Sequence, residues 1–218
     1  MAFRIALIHA GPVSIEPCLL AFAETWAQAE CVNLMDDALM VDRAKTPELT
    51  PELSDRIARL AAYGRDIGAD GILFTCSAFG PAIEAVQRQA RWPVLKPNEA
   101  MFEAALEQGR RIGMVASFQN SIPQMESEFR DLAARRGIPA TIRSVCVPAA
   151  LSALQAGDEG RHNELLADGA TQLADCDVIL LAQFSTSRAA GATRSKVRVP
   201  VLTTPATAVA KLKQLLVG

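Results

Sequence analysis

Histidine is scarce here: His9 and His162 are the only two in 218 residues. A histidine-rich metal centre is therefore excluded. The five cysteines, Cys18, Cys31, Cys76, Cys146 and Cys176, are odd in number, scattered, and free of any CxxC pair. They suggest neither a disulfide framework nor a zinc-ligand spacing, so no metal is expected. Aromatic residues make up only 5% of the chain, and the net charge of −2 leaves no basic face for nucleic acid. No apolar run reaches the roughly 18–20 residues that span a membrane. The opening MAFRIALIHAGP has neither the basic start nor the cleavage site of a secretory signal. A cytoplasmic location is expected, where most thiols stay reduced and inert. There is no GxGxxG and no P-loop, so no cofactor is expected.

What is present is a set of short apolar runs. Half the residues are hydrophobic, the profile of an α/β protein with a full core. The runs RIALIH (4–9), GILFT (71–75) and PVL (93–95) read as buried parallel strands. Helices are expected between them, over 51–67 and from about Pro81. The same series recurs in the second half: RIGMVA from Arg111, DVILLA from Asp177, and PVL from Pro200. Arg4 to Arg111, Asp70 to Asp177 and Pro93 to Pro200 are equal steps along the chain. One such likeness would be ordinary strand composition. Three at a constant offset indicate an internal duplication.

The fold class that follows is α/β. Two similar lobes are expected, each a four-stranded parallel sheet flanked by helices, related by a pseudo-two-fold axis. Lobe 1 is read as 1–97 plus a C-terminal helix, 205–218, and lobe 2 as 98–204. Hinges are expected near Lys96-Pro97 and Thr204-Pro205. Open parallel sheets bind ligands beyond the carboxyl ends of their strands, so an active-site cleft between the lobes is expected, lined by the residues that end each strand.

Those residues include His9 and Ser14 after the first strand, and Cys76, Ser77, Ala78 and Phe79 after the third. In the second half they are Ser117, Phe118, Asn120 and Ser121, then Gln183, Phe184 and Ser185. Cys76 stands between a strand and a helix start, where unpaired N–H groups favour a thiolate; a small buried hydrophobe fits the same position. His9 could pair with Cys76, act as a base, or simply be a bonded pocket histidine. The serine- and asparagine-rich helix starts suit a carboxylate ligand, although every helix needs caps. Phe118 and Phe184 could line the cleft or fill the core. His162, in GRHNELL, reads as a solvated surface residue. Lys96, after a strand end, is a conceivable Schiff-base lysine without a phosphate cradle.

With these residues in view, the chain resembles the aspartate/glutamate/hydantoin racemase superfamily, which includes arylmalonate decarboxylase and maleate cis–trans isomerase. GILFTCSAFGPAIEAV is similar to its first cysteine motif, and RIGMVASFQNSIPQMESEF to the segment that opens the second lobe. The resemblance implies Cys76 as a catalytic thiol and Ser117 as a hydroxyl that binds substrate carboxylate. It places His9 where glutamate racemases carry an acidic residue. Ser77 and Ala78 replace the usual asparagine and threonine. Gln183 stands where two-thiol members have their second cysteine.

Glutamine hydrogen-bonds but does not carry protons near neutral pH, so two-thiol racemisation is not expected. The resemblance leaves three mechanisms open. Cys76 could alone protonate an enolate, as in a decarboxylase of malonate-like acids. It could attack as a nucleophile, as in maleate isomerase. Or His9 could supply a second proton group. Ser117, Asn120 and Ser185 would stabilise the developing charge. A racemase-like isomerase without cofactor, acting on a small carboxylic or amino-acid-like substrate, heads the expectations. A binding protein that has lost its activity is the alternative of another class. The tendency of such lobes to dimerise leaves a homo-oligomer open.

Overall fold

The computed structural model describes residues 2–46 and 48–218. The chain divides into two compact units. One runs to Pro97 and takes in Ala208–Gly218; the other is Asn98–Thr207.

In the first unit the elements run β1 (Arg4–His9), α1 (Ile15–Thr25), β2 (Glu30–Met35), α2 (Ala38–Arg43), α3 (Pro51–Asp66), β3 (Gly71–Phe74), α4 (Gly80–Gln89) and β4 (Val94–Leu95). The sheet order is β2-β1-β3-β4, all parallel. β1 and β3 are central and covered on both faces. That is why RIALIH and GILF are apolar throughout rather than alternating. β2 is an edge strand, and its residues are partly open.

The second unit repeats the plan with α5 (Glu99–Gln108), β5 (Arg111–Ala116), α6 (Ile122–Arg135), β6 (Thr141–Cys146), α7 (Pro148–Gln155), α8 (Glu159–Thr171), β7 (Val178–Leu181), α9 (Ala190–Lys196) and β8 (Val201–Thr203). Its order is β6-β5-β7-β8, again parallel. α10, Thr204–Val217, ends the chain. The expected pair of four-stranded parallel sheets is therefore present.

The duplication extends to the register. Ile5 pairs with Gly71 and Ile112 with Val178; Leu73 pairs with Leu95 and Leu180 with Leu202. Each partner in the second sheet is displaced from its counterpart by the same step that separates Arg4 from Arg111. One side-chain contact repeats as well. Asp70 Oδ2 accepts from the Arg4 N–H at 2.8 Å, and Asp177 Oδ2 from the Arg111 N–H at 2.9 Å. In each unit a carboxylate before the third strand pins the start of the first. Helix ends follow local rules. α3 and α6 stop at Gly68 (φ 81°) and Gly137 (φ 65°). There the left-handed turn lets the Ala69 N–H reach Gly64 O and the Ile138 N–H reach Ala133 O.

Packing fixes the units. In the first, Ala6, Ile8, Leu53, Ile57, Ile72, Phe74, Phe79 and Ile83 form one continuous core. In the second, Phe102 and Phe129 meet edge-on at 5.7 Å among Met114, Met125 and Leu180. Each fully buried Ile, Leu or Phe contributes about 1.5–3 kcal/mol. No helix of the described residues is long and apolar enough to cross a membrane.

Candidate active site

Two groups of side chains gather at the carboxyl ends of the strands, one in each unit. In the first unit β3 ends at Phe74, and Thr75, Cys76 and a single 3-10 turn, Ser77–Phe79, lead into α4. Cys76 is partly buried. Its Sγ donates to Met40 Sδ at 3.5 Å, and both residues pack against the same apolar core. Burial pushes the thiol from its ordinary 9.0 up to about 11; a hydrogen bond from the Ala78 backbone and the nearby Arg43 guanidinium oppose this but are outweighed. The expectation of a helix-start thiolate is therefore overturned. One 3-10 turn carries too little dipole to offset an apolar wall. Burial favours the protonated thiol form of Cys76.

His9 is fully buried, and it does not pair with Cys76. Its Nδ1 lies 2.9 Å from both Ser14 Oγ and Thr75 Oγ1, and its Nε2 lies 2.9 Å from Asn33 Oδ1. Ser14 and Thr75 are also 2.9 Å apart, so the three polar groups close a triangle. Burial lowers the His9 pKa, against a weaker upward pull from Asn33. The neutral ring donates from Nε2 to Asn33 and accepts a hydroxyl proton at Nδ1. Among the described residues no carboxylate belongs to this network, and the ring ties the ends of β1, β2 and β3 together. Ser14 is one of its members; a second bond runs from its hydroxyl to Gly11 O at 3.2 Å.

In the second unit the matching strand ends carry Ser117 and Gln183. Ser117 donates twice to Gln183 Oε1, from its N–H at 2.9 Å and from its hydroxyl at 2.8 Å. A backbone N–H can only donate, so the amide oxygen must face Ser117. The Gln183 Nε2 group turns the other way, 3.4 Å from Ser121 Oγ. The Ser117 donors expected to receive a substrate carboxylate are thus taken up by Gln183, and the group left to offer is an amide NH2. Ser121 occupies the place of Ser14 in the duplicated frame. Its hydroxyl donates to Phe118 O at 2.8 Å, as that of Ser14 does to Gly11 O. The frame is duplicated while its chemistry differs.

Other expected residues divide. Phe118 is 41% exposed and Asn120 is open to solvent; Ser77 and Ala78 are partly open beside Cys76. Phe184 is only 3% exposed and Phe79 fully buried, so both are packing residues. Ser185 is nearly buried, and its carbonyl faces a ring nitrogen of His162. His162 itself is buried, not solvated: Nδ1 is 2.8 Å from Ala150 O and Nε2 is 3.3 Å from Ser185 O. The polar letters around it lie on the outer face of α8, while the ring points inward. Lys96 is paired with Glu84 at 2.7 Å, an ordinary structural cation.

Sequence reasoning missed Met40 and Arg43, which arrive beside Cys76 on a short helix far upstream in the chain. Arg43 donates to Ala78 O at 3.3 Å and to Thr46 O at 2.7 Å. It also missed Asn98, whose buried Nδ2 has no partner among the described residues while Oδ1 accepts from Thr204. No group of three or more His, Cys, Asp or Glu that could hold a metal occurs among the described residues.

Solved structures share this architecture. A glutamate racemase isoform from Bacillus anthracis matches with a TM-score of 0.75 and 12% identity, covering 99% of this chain and 81% of that one. An aspartate racemase from Picrophilus torridus matches with a TM-score of 0.74 and 15% identity, covering 98% and 94%. An allantoin racemase from Klebsiella pneumoniae matches with a TM-score of 0.69 and 20% identity, covering 99% and 88%. At such identities these likenesses establish the fold. Comparison with curated protein sequences gives no match. The family model for Asp/Glu/Hydantoin racemase matches residues 18–212. From the cysteine of α1 to the last helix, this chain belongs to the Asp/Glu/hydantoin racemase family.

Proposed function

We propose that the protein is a cofactor-independent racemase-like isomerase that moves a proton at the carbon next to a carboxylate, with Cys76 carrying that proton. The observation that carries this reading is the state of Cys76: a partly open thiol at a strand end, kept protonated by apolar neighbours. Deprotonated, such a thiol is a scarce but strong base; protonated, it can quench a carbanion or enolate. Gln183 supports one-thiol chemistry, since an amide fixed by Ser117 orients a ligand and exchanges no proton. His9 is a poor second proton group, because both ring nitrogens are committed.

A second reading has an observation of its own. A decarboxylase of malonate-like acids needs only to protonate the enolate left by loss of carbon dioxide, and a thiol near 11 is already in the right state. Nucleophilic cis–trans isomerisation fits less well, since it requires a thiolate.

Proton NMR in D₂O separates these. The protein is incubated with amino acids, hydantoins, malonates and maleate beside a Cys76→Ala control. Deuterium entering an α-carbon without carbon loss, in the wild type only, supports the isomerase. Loss of a carboxyl group with deuterium in its place identifies the decarboxylase. No turnover, with equal ligand-induced shifts in both proteins, overturns both and leaves a binding protein.

A further inference from the structure

The Cys76 thiol meets α2, a helix of six residues that cannot hold its position through its own hydrogen bonds alone. Leu39, fully buried, anchors it to the core. The Asp36 N–H donates to His9 O at 3.2 Å just before it, and its charged ties run to one side chain of α3. Arg56 donates to Asp36 from Nε at 2.8 Å and from Nη2 at 2.6 Å, and to Asp42 from Nη1 at 2.7 Å. Asp36 stands just before α2, and Asp42 lies near its end. One guanidinium therefore grips both ends of the helix with its planar fork, a geometry lysine cannot copy. Lys45 also reaches Asp42, but from the same stretch of chain, so it ties nothing to α3.

Between the two grips, α2 presents Met40 to the Cys76 sulfur and Arg43 to the Ala78 carbonyl. We propose that Arg56 is a positioning residue: by clamping both ends of α2 it seats Met40 over Cys76 and so sets how far the thiol is open to reagents and substrate. The contact also favours the protonated form, since the S–H donates to the thioether and a thiolate has nothing to donate. Arg43 is the charged group of α2 that faces the sulfur, and it moves with the helix. The inference rests on the reading of Cys76 as the working thiol, but its test does not depend on turnover.

The rate of iodoacetamide alkylation is followed cysteine by cysteine, by mass spectrometry of the whole protein's peptides, at one fixed mildly alkaline pH. Cys18, fully buried in the same unit, reports any general loosening. Arg56→Ala is expected to speed alkylation of Cys76 about two- to fivefold, the fold-change that the upper range of a part-exposed ion pair corresponds to, with Cys18 unchanged. Arg56→Lys should fall between the two. Raising salt to about 1 M, where the Debye length is about 3 Å, should speed the wild type and leave Arg56→Ala nearly flat. Met40→Ala uncovers the sulfur without touching the clamp and serves as the positive control. If Met40→Ala accelerates Cys76 and Arg56→Ala does not, the proposal is wrong. If Cys18 accelerates in parallel, the effect is unfolding and the proposal is equally wrong. A clamp that behaves as expected beside a silent D₂O panel would sink the proposed function and leave the clamp standing.

Discussion

Cys76 should ionise about two pH units above an ordinary cysteine. The shift comes from its surroundings: the sulfur lies against Met40 and the apolar core, while only the Ala78 backbone and Arg43 favour the charge. Each pH unit corresponds to about 1.36 kcal/mol between the two protonation states. The rise from 9.0 to about 11 is thus worth about 2.7 kcal/mol. At pH 8 an ordinary thiol is about one-tenth ionised and Cys76 about one-thousandth, roughly a hundredfold deficit. Alkylation proceeds through the thiolate, so Cys76 should react slowly at pH 8 and its rate should keep climbing towards pH 11. The linkage sign follows. A raised pKa favours the neutral form in the fold, so this stabilisation is complete below about 9 and lost as pH rises through about 11. Peptide-resolved alkylation between pH 7 and 11.5 measures the profile. A plateau near pH 8, or a Cys76 that outpaces a small free thiol, would show that the sulfur is an activated thiolate and that the burial argument fails.

Two further outcomes test the fold. A Cβ at Gly113, in the middle of β5, would lie 2.9 Å from Leu173 Cβ and 3.3 Å from Cys176 Sγ. Gly113→Ala should therefore destabilise by about 1–3 kcal/mol, as overpacked cores do, read as a lower urea midpoint. Asp177 is held at about 2, below its usual 3.8, by the N–H groups of Arg110 and Arg111 and the Arg111 side chain. Its contribution is present above 3.8 and lost as pH falls towards 2. Asp177→Asn should flatten that limb of an acid-denaturation curve; an unchanged limb would show that the carboxylate does not pin β5.

Much of this was written in the chain itself. The constant offset between the two halves located both sheets, because buried parallel strands must be apolar throughout and a duplication preserves that pattern in register. It also matched Gln183 to Cys76. Strand ends were legible, since each apolar run stops where the chain turns. Side-chain partners were not. His9, at the end of an apolar run, could face a thiol or a hydroxyl; tertiary packing gave it Ser14, Thr75 and Asn33. His162 sat among polar letters yet turned inward, because one helix carries a wet face and a dry one in the same few residues. The state of Cys76 depended on burial beside Met40 and on Arg43, both brought to it from α2. Strand pattern is a local property of sequence and survives a linear reading. Desolvation and hydrogen-bond partnership are set by what lies within a few ångströms in space, and only the folded chain brings those neighbours together.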